Sequence, residues 1–234
     1  MSLIEIKNVV KYYKLGNEKN YALDHISLNV EEGEIIVILG PSGSGKTTLL
    51  NCMSGLEKVT SGKIMYDGKD ICKYSDHKIT KFRKKNIGFI FQTYNLLENL
   101  NVYENVLVGA NLGNRKVDID DILETVSLKR HKKKMMYQLS GGEQQRVSIA
   151  RALAKNAKVM FCDEPTGALD EKTGKKVLEA LVDANEKYKT TMIIITHNPG
   201  IQYIGDKIVR LNSGKIVSVE ENKNKINPKD IPWG

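Results

Sequence analysis

Uninterrupted apolar runs mark three places where the sequence predicts a deeply buried strand. They lie at 35–39 (IIVIL), 158–162 (KVMFC) and 191–196 (TMIIIT). A strand with one solvent-exposed face alternates apolar and polar residues, whereas a strand covered on both faces is apolar throughout. The three runs therefore predict the centre of a mostly parallel sheet with helices on both sides.

The remaining patterns predict elements around this centre. Alternation and turn signals predict strands at 3–6, 22–30, 63–71 and 87–91 and a hairpin at 207–219. Helical patterns are predicted after the run at 35–39, ending near Gly55, and again at 78–86 and 171–187. From Gln92 to about Asn156 the pattern is mostly helical and contains no convincing strand.

This alternation of strands and helices predicts one α/β domain over residues 1–220. Its core would be formed by 1–92 and 157–220, with a helical subdomain inserted at 93–156. In such a sheet, ligands bind at the carboxyl ends of the parallel strands. The polar tail at 221–234 contains two prolines and predicts a disordered end, with a docking or autoregulatory peptide around Trp233 as the alternative.

Composition narrows the class of protein. Hydrophobic residues make up 41% of the 234 residues and charged residues 27%, which is ordinary for a globular protein. The apolar runs are too short to span a bilayer, and the start, MSLIEIKN, lacks the basic and apolar regions of a secretory signal. We therefore expect the protein to reach a membrane only through a partner.

The net charge of +8 includes basic runs at 78–85 and 129–134. These runs are typical of a solvated surface, or of attraction to an anionic membrane leaflet or an acidic partner. Few aromatic residues and no nucleic-acid motif accompany the charge, so no nucleic-acid partner is expected. The three cysteines, at 52, 72 and 162, lack metal-ligand spacing and are interpreted as reduced thiols.

The segment 40–48 (GPSGSGKTT) carries the clearest chemical signal. It matches G-x-x-x-x-G-K-[ST] between a buried strand and a predicted helix. Lys46 would neutralise the outer phosphates of a nucleotide, and the Thr47 hydroxyl would bind Mg²⁺. The residues predicted to bind the nucleotide are Gly40, Pro41, Ser42, Gly43, Ser44, Gly45, Lys46, Thr47 and Thr48.

Polar residues end three of the predicted strands on the same edge of the sheet. Asp163 would hold Mg²⁺ directly or through water. Glu164 would polarise the attacking water, with a surface charge or helix-start residue as the alternative. His197 ends the strand at 191–196, and Gln92 ends the strand at 87–91. A lone histidine is often structural, but the shared edge makes both residues candidates for catalysis.

A second anion-binding helix start follows at 138–153 (QLSGGEQQRVSIARAL). Bare N–H groups and the helix dipole at Ser140, Gly141 and Gly142 would favour an anion. The residues alone do not explain why one chain needs a second such site.

Taken together, the motifs resemble those of ATP-binding-cassette (ABC) ATPases, over about residues 3–219. They occur in family order as GPSGSGKTT (Walker A), FQ (Q-loop), LSGGEQ (signature), VMFCDEP (Walker B), ALD (D-loop) and TH (switch histidine). The resemblance implies a P-loop NTPase (RecA-like) core, an antiparallel β subdomain and an inserted helical subdomain. It also implies ATP hydrolysis coupled to transmembrane transport, with ATP and Mg²⁺ as cofactors and Gln92 beside Thr47 and Asp163 at the metal.

The resemblance also implies a head-to-tail homodimer. Each ATP would lie between Walker A of one copy and the signature of the other, so Ser140, Gly141, Gly142 and Glu143 would complete the partner's site. Asp170 would lie near the interface and couple the two sites. The base would stack on Tyr12 or Tyr13, which point to opposite faces of a strand; family spacing favours Tyr13.

The stretch 91–106 (FQTYNLLENLNVYENV) and the segment 163–174 (DEPTGALDEKTG) are similar to one branch of the family. That branch contains macrolide and peptide exporters, lipoprotein-release systems and bacitracin-type resistance systems. It implies a separate integral membrane permease and a location at the cytoplasmic face of the cell membrane.

A departure from the pattern of the branch and two alternative functions bear on that assignment. The segment between YENV and LSGGEQ is shorter than usual and contains KKKMMYQ where a proline is commoner, which leaves the partner open. A cell-division ATPase that controls a membrane partner without transport is the alternative function. A DNA-repair or translation cassette is disfavoured, because the sequence has no long coiled coil, zinc module or second cassette.

Overall fold

The computed structural model describes residues 2–16, 18–113 and 116–233. The helices are α1 (Lys46–Ser54), α2 (Asp76–Asn86), α3 (Val102–Leu112), α4 (Ile119–Thr125), α5 (Gly141–Ala154) and α6 (Glu171–Tyr188). The strands are β1 (Ile4–Leu15), β2 (Glu18–Val30), β3 (Ile35–Leu39), β4 (Ser61–Tyr66), β5 (Lys69–Asp70), β6 (Ile87–Ile90), β7 (Val159–Asp163), β8 (Thr191–Thr196), β9 (Lys207–Asn212) and β10 (Lys215–Glu221).

A six-stranded sheet forms the centre of the molecule, with strand order β10-β9-β3-β8-β7-β6. All neighbouring pairs are parallel except the hairpin of β9 and β10. Leu39 pairs with Thr196, and Asp163 pairs with Ile195. The carboxyl ends of β3, β7 and β8 therefore lie side by side, which confirms the predicted common edge.

The central strand β3 is buried on both faces, as its uninterrupted apolar run predicts. Ile35, Val37 and Leu39 belong to a core cluster shared with helices α3 to α6. Ile36 and Ile38 belong to a second cluster, shared with α1 and with strands β1, β2 and β4. The alternation of the pleat thus divides one apolar run between two cores.

A four-stranded antiparallel sheet, with order β2-β1-β4-β5, covers the second core. The first strand is much longer than the alternation at 3–6 predicts, because it continues to Leu15 through Tyr12 and Tyr13. The second half of β1 is polar and has no apolar pattern that would predict a strand. It forms a strand because pairing with β2 satisfies its backbone hydrogen-bonding groups.

Between β6 and β7, the described part of the chain contains helices α3 to α5, two short 3₁₀ turns and one isolated bridge between Asn101 and Met135. The mostly helical pattern predicted there is confirmed. Among the described residues, none of the helices combines the length and apolar character that crossing a bilayer requires.

The disordered end predicted after residue 220 is not what the structure shows. Strand β10 extends to Glu221, and a 3₁₀ turn forms at Pro228–Asp230. Ile231 is 1% exposed and joins the core beside α6, and Trp233 packs against the same core. The polar composition of this stretch does not indicate that Ile231 becomes buried and Trp233 partly buried, because both depend on packing against α6 and its neighbours.

Candidate functional site

An open cavity of about 340 Å³ lies at the carboxyl edge of the central sheet. It is lined by Ala22, Ser42, Gly43, Gly45, Lys46, Thr47, Thr48, Asp163, Glu164 and His197. The structure therefore brings six of the nine predicted loop residues together with three predicted strand-end residues. Gly40, Pro41 and Ser44 support the loop without lining the cavity.

Two glycines shape this loop through backbone conformations that favour glycine. Gly43 has φ 76° and Gly45 has φ 99°, both in the left-handed region. A Cβ atom on Gly45 would also overlap the carbonyl oxygen of Ala22 and lie 3.3 Å from a methyl of Leu23. The loop can take this shape, and approach β2 this closely, only with glycine at position 45.

Lys46 places a buried cation in the loop. Its side chain donates hydrogen bonds to the carbonyl oxygens of Gly40 (2.8 Å) and Pro41 (3.0 Å). The residue is only 9% exposed. An ammonium group has three donors, so two bonds to the loop leave one donor for an anionic oxygen. This arrangement fits a phosphate group bound at the start of α1, where the helix dipole also favours an anion.

Asp163 faces the same cavity from the end of β7. Burial raises the pKa of its carboxyl, the neighbouring carboxylate of Glu164 raises it further, and the ammonium of Lys46 opposes both effects. A half-buried carboxylate that lines the same cavity as Thr47 supplies, with the Thr47 hydroxyl, the hard oxygen ligands that Mg²⁺ prefers. The residues present therefore fit a magnesium ion.

Glu164 and His197 form a hydrogen-bonded pair at the mouth of the cavity. Glu164 Oε1 lies 2.9 Å from His197 Nδ1, and Glu164 Oε2 accepts a longer bond from the His197 backbone N–H at 3.4 Å. The Glu164 side chain is 16% exposed and that of His197 is 67% exposed. Glu164 also has φ 47°, a strained conformation for a non-glycine residue that is found preferentially at functional sites.

Gln92 lies outside the cavity lining, in the turn that follows β6. A Cβ atom on Gly167 would lie 3.0 Å from Gln92 Nε2 and 3.4 Å from the Glu164 Cβ. The Gln92 amide and Glu164 therefore flank the same glycine, whereas the structure does not bring Gln92 into the cavity with Thr47 and Asp163. Asp170 also lies outside it, where its side chain caps α6 by accepting from the Thr173 N–H at 3.1 Å.

Ser140 and Glu143 form a capping box at the start of α5. Glu143 Oε2 accepts from the Ser140 N–H (2.8 Å) and the Ser140 hydroxyl (2.9 Å), and the Glu143 N–H donates to Ser140 Oγ. Burial alone would raise the pKa of Glu143, but these bonds and the nearby His131 lower it overall. None of the four predicted residues 140–143 lines the cavity.

The two candidate tyrosines point in different directions, as strand alternation predicts. The ring of Tyr12 packs against Tyr21, with centroids 5.5 Å apart. The hydroxyl of Tyr13 instead donates to Glu57 Oε1 at 2.7 Å and interacts with the side chain of Thr48. Tyr13 is therefore the tyrosine beside the phosphate loop.

Sequence reasoning missed two residues that shape this site. Ala22 lines the cavity from β2, and Glu57 fixes Tyr13 from the turn after α1. Lys11 also pairs with Glu57 at 2.8 Å. Neither Ala22 nor Glu57 has a local sequence signal for its role, because the contacts of both residues depend on how β1 and β2 pack against α1.

Comparison with known proteins places this geometry in context. The sequence model described as ABC transporter matches residues 23–167. A putative ABC transporter ATP-binding protein of Mycoplasma pneumoniae is 47% identical over 234 residues, covering 99% of this chain and 50% of that protein. An uncharacterized ABC transporter ATP-binding protein of Methanocaldococcus jannaschii is 41% identical, covering 94% of this chain and 97% of that protein.

Solved structures agree with the fold. A dimeric ATP-binding cassette in a post-hydrolysis state, bound to ADP and Pi, superposes with a TM-score of 0.83 at 38% identity, covering 94% of this chain and 99% of the other. A component of an ABC transporter complex of Clostridium perfringens gives the same TM-score at 30% identity, covering 98% and 90%. This chain spans about half the length of two Mycoplasma relatives, which are 47% and 46% identical to it.

Proposed function

This chain belongs to the ABC transporter family and is an ATPase domain of that family, and from this premise we propose that it powers a membrane permease by ATP-driven dimerisation. The observation that carries the proposal is that the two predicted anion-binding sites lie apart within one chain. The cavity contains the phosphate loop, Asp163, Glu164 and His197, whereas Ser140–Glu143 lie outside it. The second anion-binding helix start is thus available to a second copy of the chain.

Within one copy, each group of the cavity has a distinct task. Lys46 and the N–H groups of the loop would hold the outer phosphates of ATP, because both supply hydrogen-bond donors where the loop meets the start of α1. Glu164 would accept a proton from the attacking water, with His197 orienting its carboxylate through their 2.9 Å contact. Gln92 would approach Glu164 from the turn that follows β6, since both side chains lie beside Gly167.

Thr47 and Asp163 would hold Mg²⁺, which supplies positive charge to the phosphate oxygens when bound. The raised pKa of Asp163 suits this role, because a bound cation stabilises a carboxylate that burial disfavours. Tyr13 would stack on the base, since its hydroxyl is already held beside the loop by Glu57.

Two copies would pair head to tail, so that one symmetric interface closes two identical sites. The N-terminus of α5, with Ser140, Gly141, Gly142 and Glu143, would face the nucleotide held by the partner's Walker A, and Asp170 would lie at the same interface. On the single cassette at 1–220, the helical subdomain at 93–156 would carry the start of α5, and the core part at 157–220 would carry Asp170. The relative that is dimeric and bound to ADP and Pi supports the pairing of two copies.

We further propose that the permease belongs to the exporter and lipoprotein-release branch, at the cytoplasmic face of the cell membrane. The support is the resemblance of residues 91–106 and 163–174 to that branch. Affinity capture from membranes with the full chain, followed by identification of the bound permease, tests this. Recovery of a permease of another transporter class, or of a cell-division partner, would contradict the export assignment.

Replacing Glu164 with Gln tests the dimer and the general base together. The amide keeps the size of the side chain but cannot take a proton, so turnover should fall by about 10²–10⁴-fold. Unhydrolysed ATP should then hold the dimer together, and size-exclusion chromatography with light scattering should show a mass near twice 26.3 kDa.

The matched control is Lys46→Ala in the Glu164→Gln background, which removes the phosphate contact and should return the protein to a monomer. A Glu164→Gln variant that binds ATP yet stays monomeric at saturating ATP and Mg²⁺ would overturn the proposal.

A further inference from the structure

Residues 222–233, here called the C-terminal segment, lie along the 3₁₀ turn at Pro199–Ile204. The Asn222 N–H donates to the Asp206 carbonyl at 2.8 Å, and the Ile226 N–H donates to the Tyr203 carbonyl at 3.0 Å. Lys225 forms an ion pair with Asp206 at 2.6 Å. Backbone bonds and a charge pair thus attach the first half of the segment to this turn and to Asp206, which follows it.

The second half of the segment reaches the first turn of α6. Ile231 is 1% exposed in the core shared with this helix. A Cβ atom on Gly174 would overlap the six-membered ring of Trp233, with the ring atom Cζ2 only 2.6 Å away. A Cβ atom on Gly200 would likewise overlap the Pro232 carbonyl oxygen. Both close approaches therefore require glycine.

These two glycines lie next to residues of the proposed site. The Gly174 N–H donates to the Asp170 carbonyl, so Trp233 packs against the turn that Asp170 caps. Gly200 comes three residues after His197. In the same first turn of α6, the Thr173 methyl fills the position where a Cβ atom of Gly142 would lie. The turn is therefore held between Trp233 and the start of α5.

We infer that Trp233 is a positioning residue: the C-terminal segment fixes the first turn of α6 against the start of α5, so that Asp170 and Ser140 face a second copy in one rigid arrangement. This inference rests on the proposed dimeric function. It assigns Trp233 no contact with the nucleotide, because the segment does not line the cavity.

Trp233→Ala in the full chain tests this, with Trp233→Phe as the conservative variant. We expect Trp233→Ala to lower kcat several-fold and, in the Glu164→Gln background, to raise the ATP concentration needed for half-maximal dimerisation by a similar factor. The Kd of the monomer for ATP should be unchanged, and Trp233→Phe should recover most of the loss. Equal kcat and equal dimerisation for Trp233→Ala and the parent would overturn the inference, as would an equal loss of monomer affinity.

Gly174→Ala should remove the Trp233 ring from its position without changing Trp233 itself. With Trp233 present, the added methyl should expel the ring, reproduce the Trp233→Ala defect and shift the emission of this only tryptophan to the red. With Trp233 replaced by Ala, the same change should cause no further loss, because the space is already open. Additive losses in the double variant would show that the two residues do not act through one contact.

The Glu164→Gln parent separates the two proposals within this experiment. If the parent dimerises with ATP and the Trp233 variants match it, only the positioning role is wrong. If the parent stays monomeric, the proposed function is wrong and the positioning role fails with it.

Discussion

At the scale of single residues, two adjacent carboxylates at the end of β7 have opposite surroundings. Glu164 contacts His197 through both carboxylate oxygens. Among the described residues, no such donor contacts the Asp163 carboxylate, and burial together with the charge of Glu164 raises its pKa. A carboxyl whose folded pKa is raised binds its proton more tightly in the folded state, so its ionised form costs stability at neutral pH.

Asp163→Asn should therefore stabilise the nucleotide-free protein while impairing Mg²⁺-dependent binding. We expect the free energy of unfolding at pH 7 to rise by about 0.5–1 kcal/mol, at the low end of what single stabilising substitutions commonly give. The gain should shrink as pH falls through the raised pKa of Asp163, because protonation then neutralises the wild-type carboxyl as well. Denaturant unfolding at several pH values, with and without Mg²⁺ and ATP, measures both effects.

The matched control is Asp170→Asn at the cap of α6. There the hydrogen bond to Thr173 lowers the pKa of the carboxyl, so the charge favours the folded state and its removal should lower stability slightly. An Asp163→Asn variant that is less stable than the wild type without nucleotide would contradict the argument.

At the scale of elements, α3 and α5 pack closely through a glycine. A Cβ atom on Gly109 would overlap the Arg151 carbonyl oxygen and lie 2.9 Å from its carbonyl carbon. Gly109→Ala should therefore force the helices apart and lower the free energy of unfolding by about 1–3 kcal/mol, as overpacking does. Chemical denaturation compares it with Asn111→Ala on the exposed side of α3, which should be neutral or slightly stabilising. Equal effects of the two substitutions would contradict the close packing.

The elements that could be predicted from sequence are those whose pattern is local. The run at 35–39 is apolar because two cores meet on β3, and α1 ends at Gly55 because that residue has φ 70°. Ser140 and Glu143 have the S-x-x-E spacing of a capping box, so the start of α5 could also be predicted from the sequence.

Other elements could not be predicted, because they depend on distant contacts. The polar half of β1 is held by pairing with β2, and Trp233 is held by a glycine on α6. At the site, the phosphate loop and strand-end residues follow from pattern and topology. The contact of Glu57 with Tyr13 and the position of Gln92 outside the cavity do not, since a turn's path is set by packing.

At the scale of the whole molecule, the separation of the cavity from residues 140–143 predicts complementation between two defective chains. Lys46→Ala should disable the phosphate loop and Ser140→Arg the signature, each in its own chain. In a head-to-tail dimer, one chain of each kind creates one site with both defects and one site with neither. Either homodimer alone has no intact site.

An equimolar mixture of the two variants should therefore recover ATPase activity. Random pairing makes half of the dimers mixed, and each mixed dimer has one intact site of two, so about a quarter of the wild-type rate is expected. The control chain carries both substitutions and is mixed with Ser140→Arg, a pairing that leaves no intact site and should recover nothing. Steady-state ATPase assays on purified mixtures measure the difference. A mixture of the single variants that stays inactive, although Ser140→Arg alone still binds ATP as a monomer, would show that the signature does not act on the partner's nucleotide.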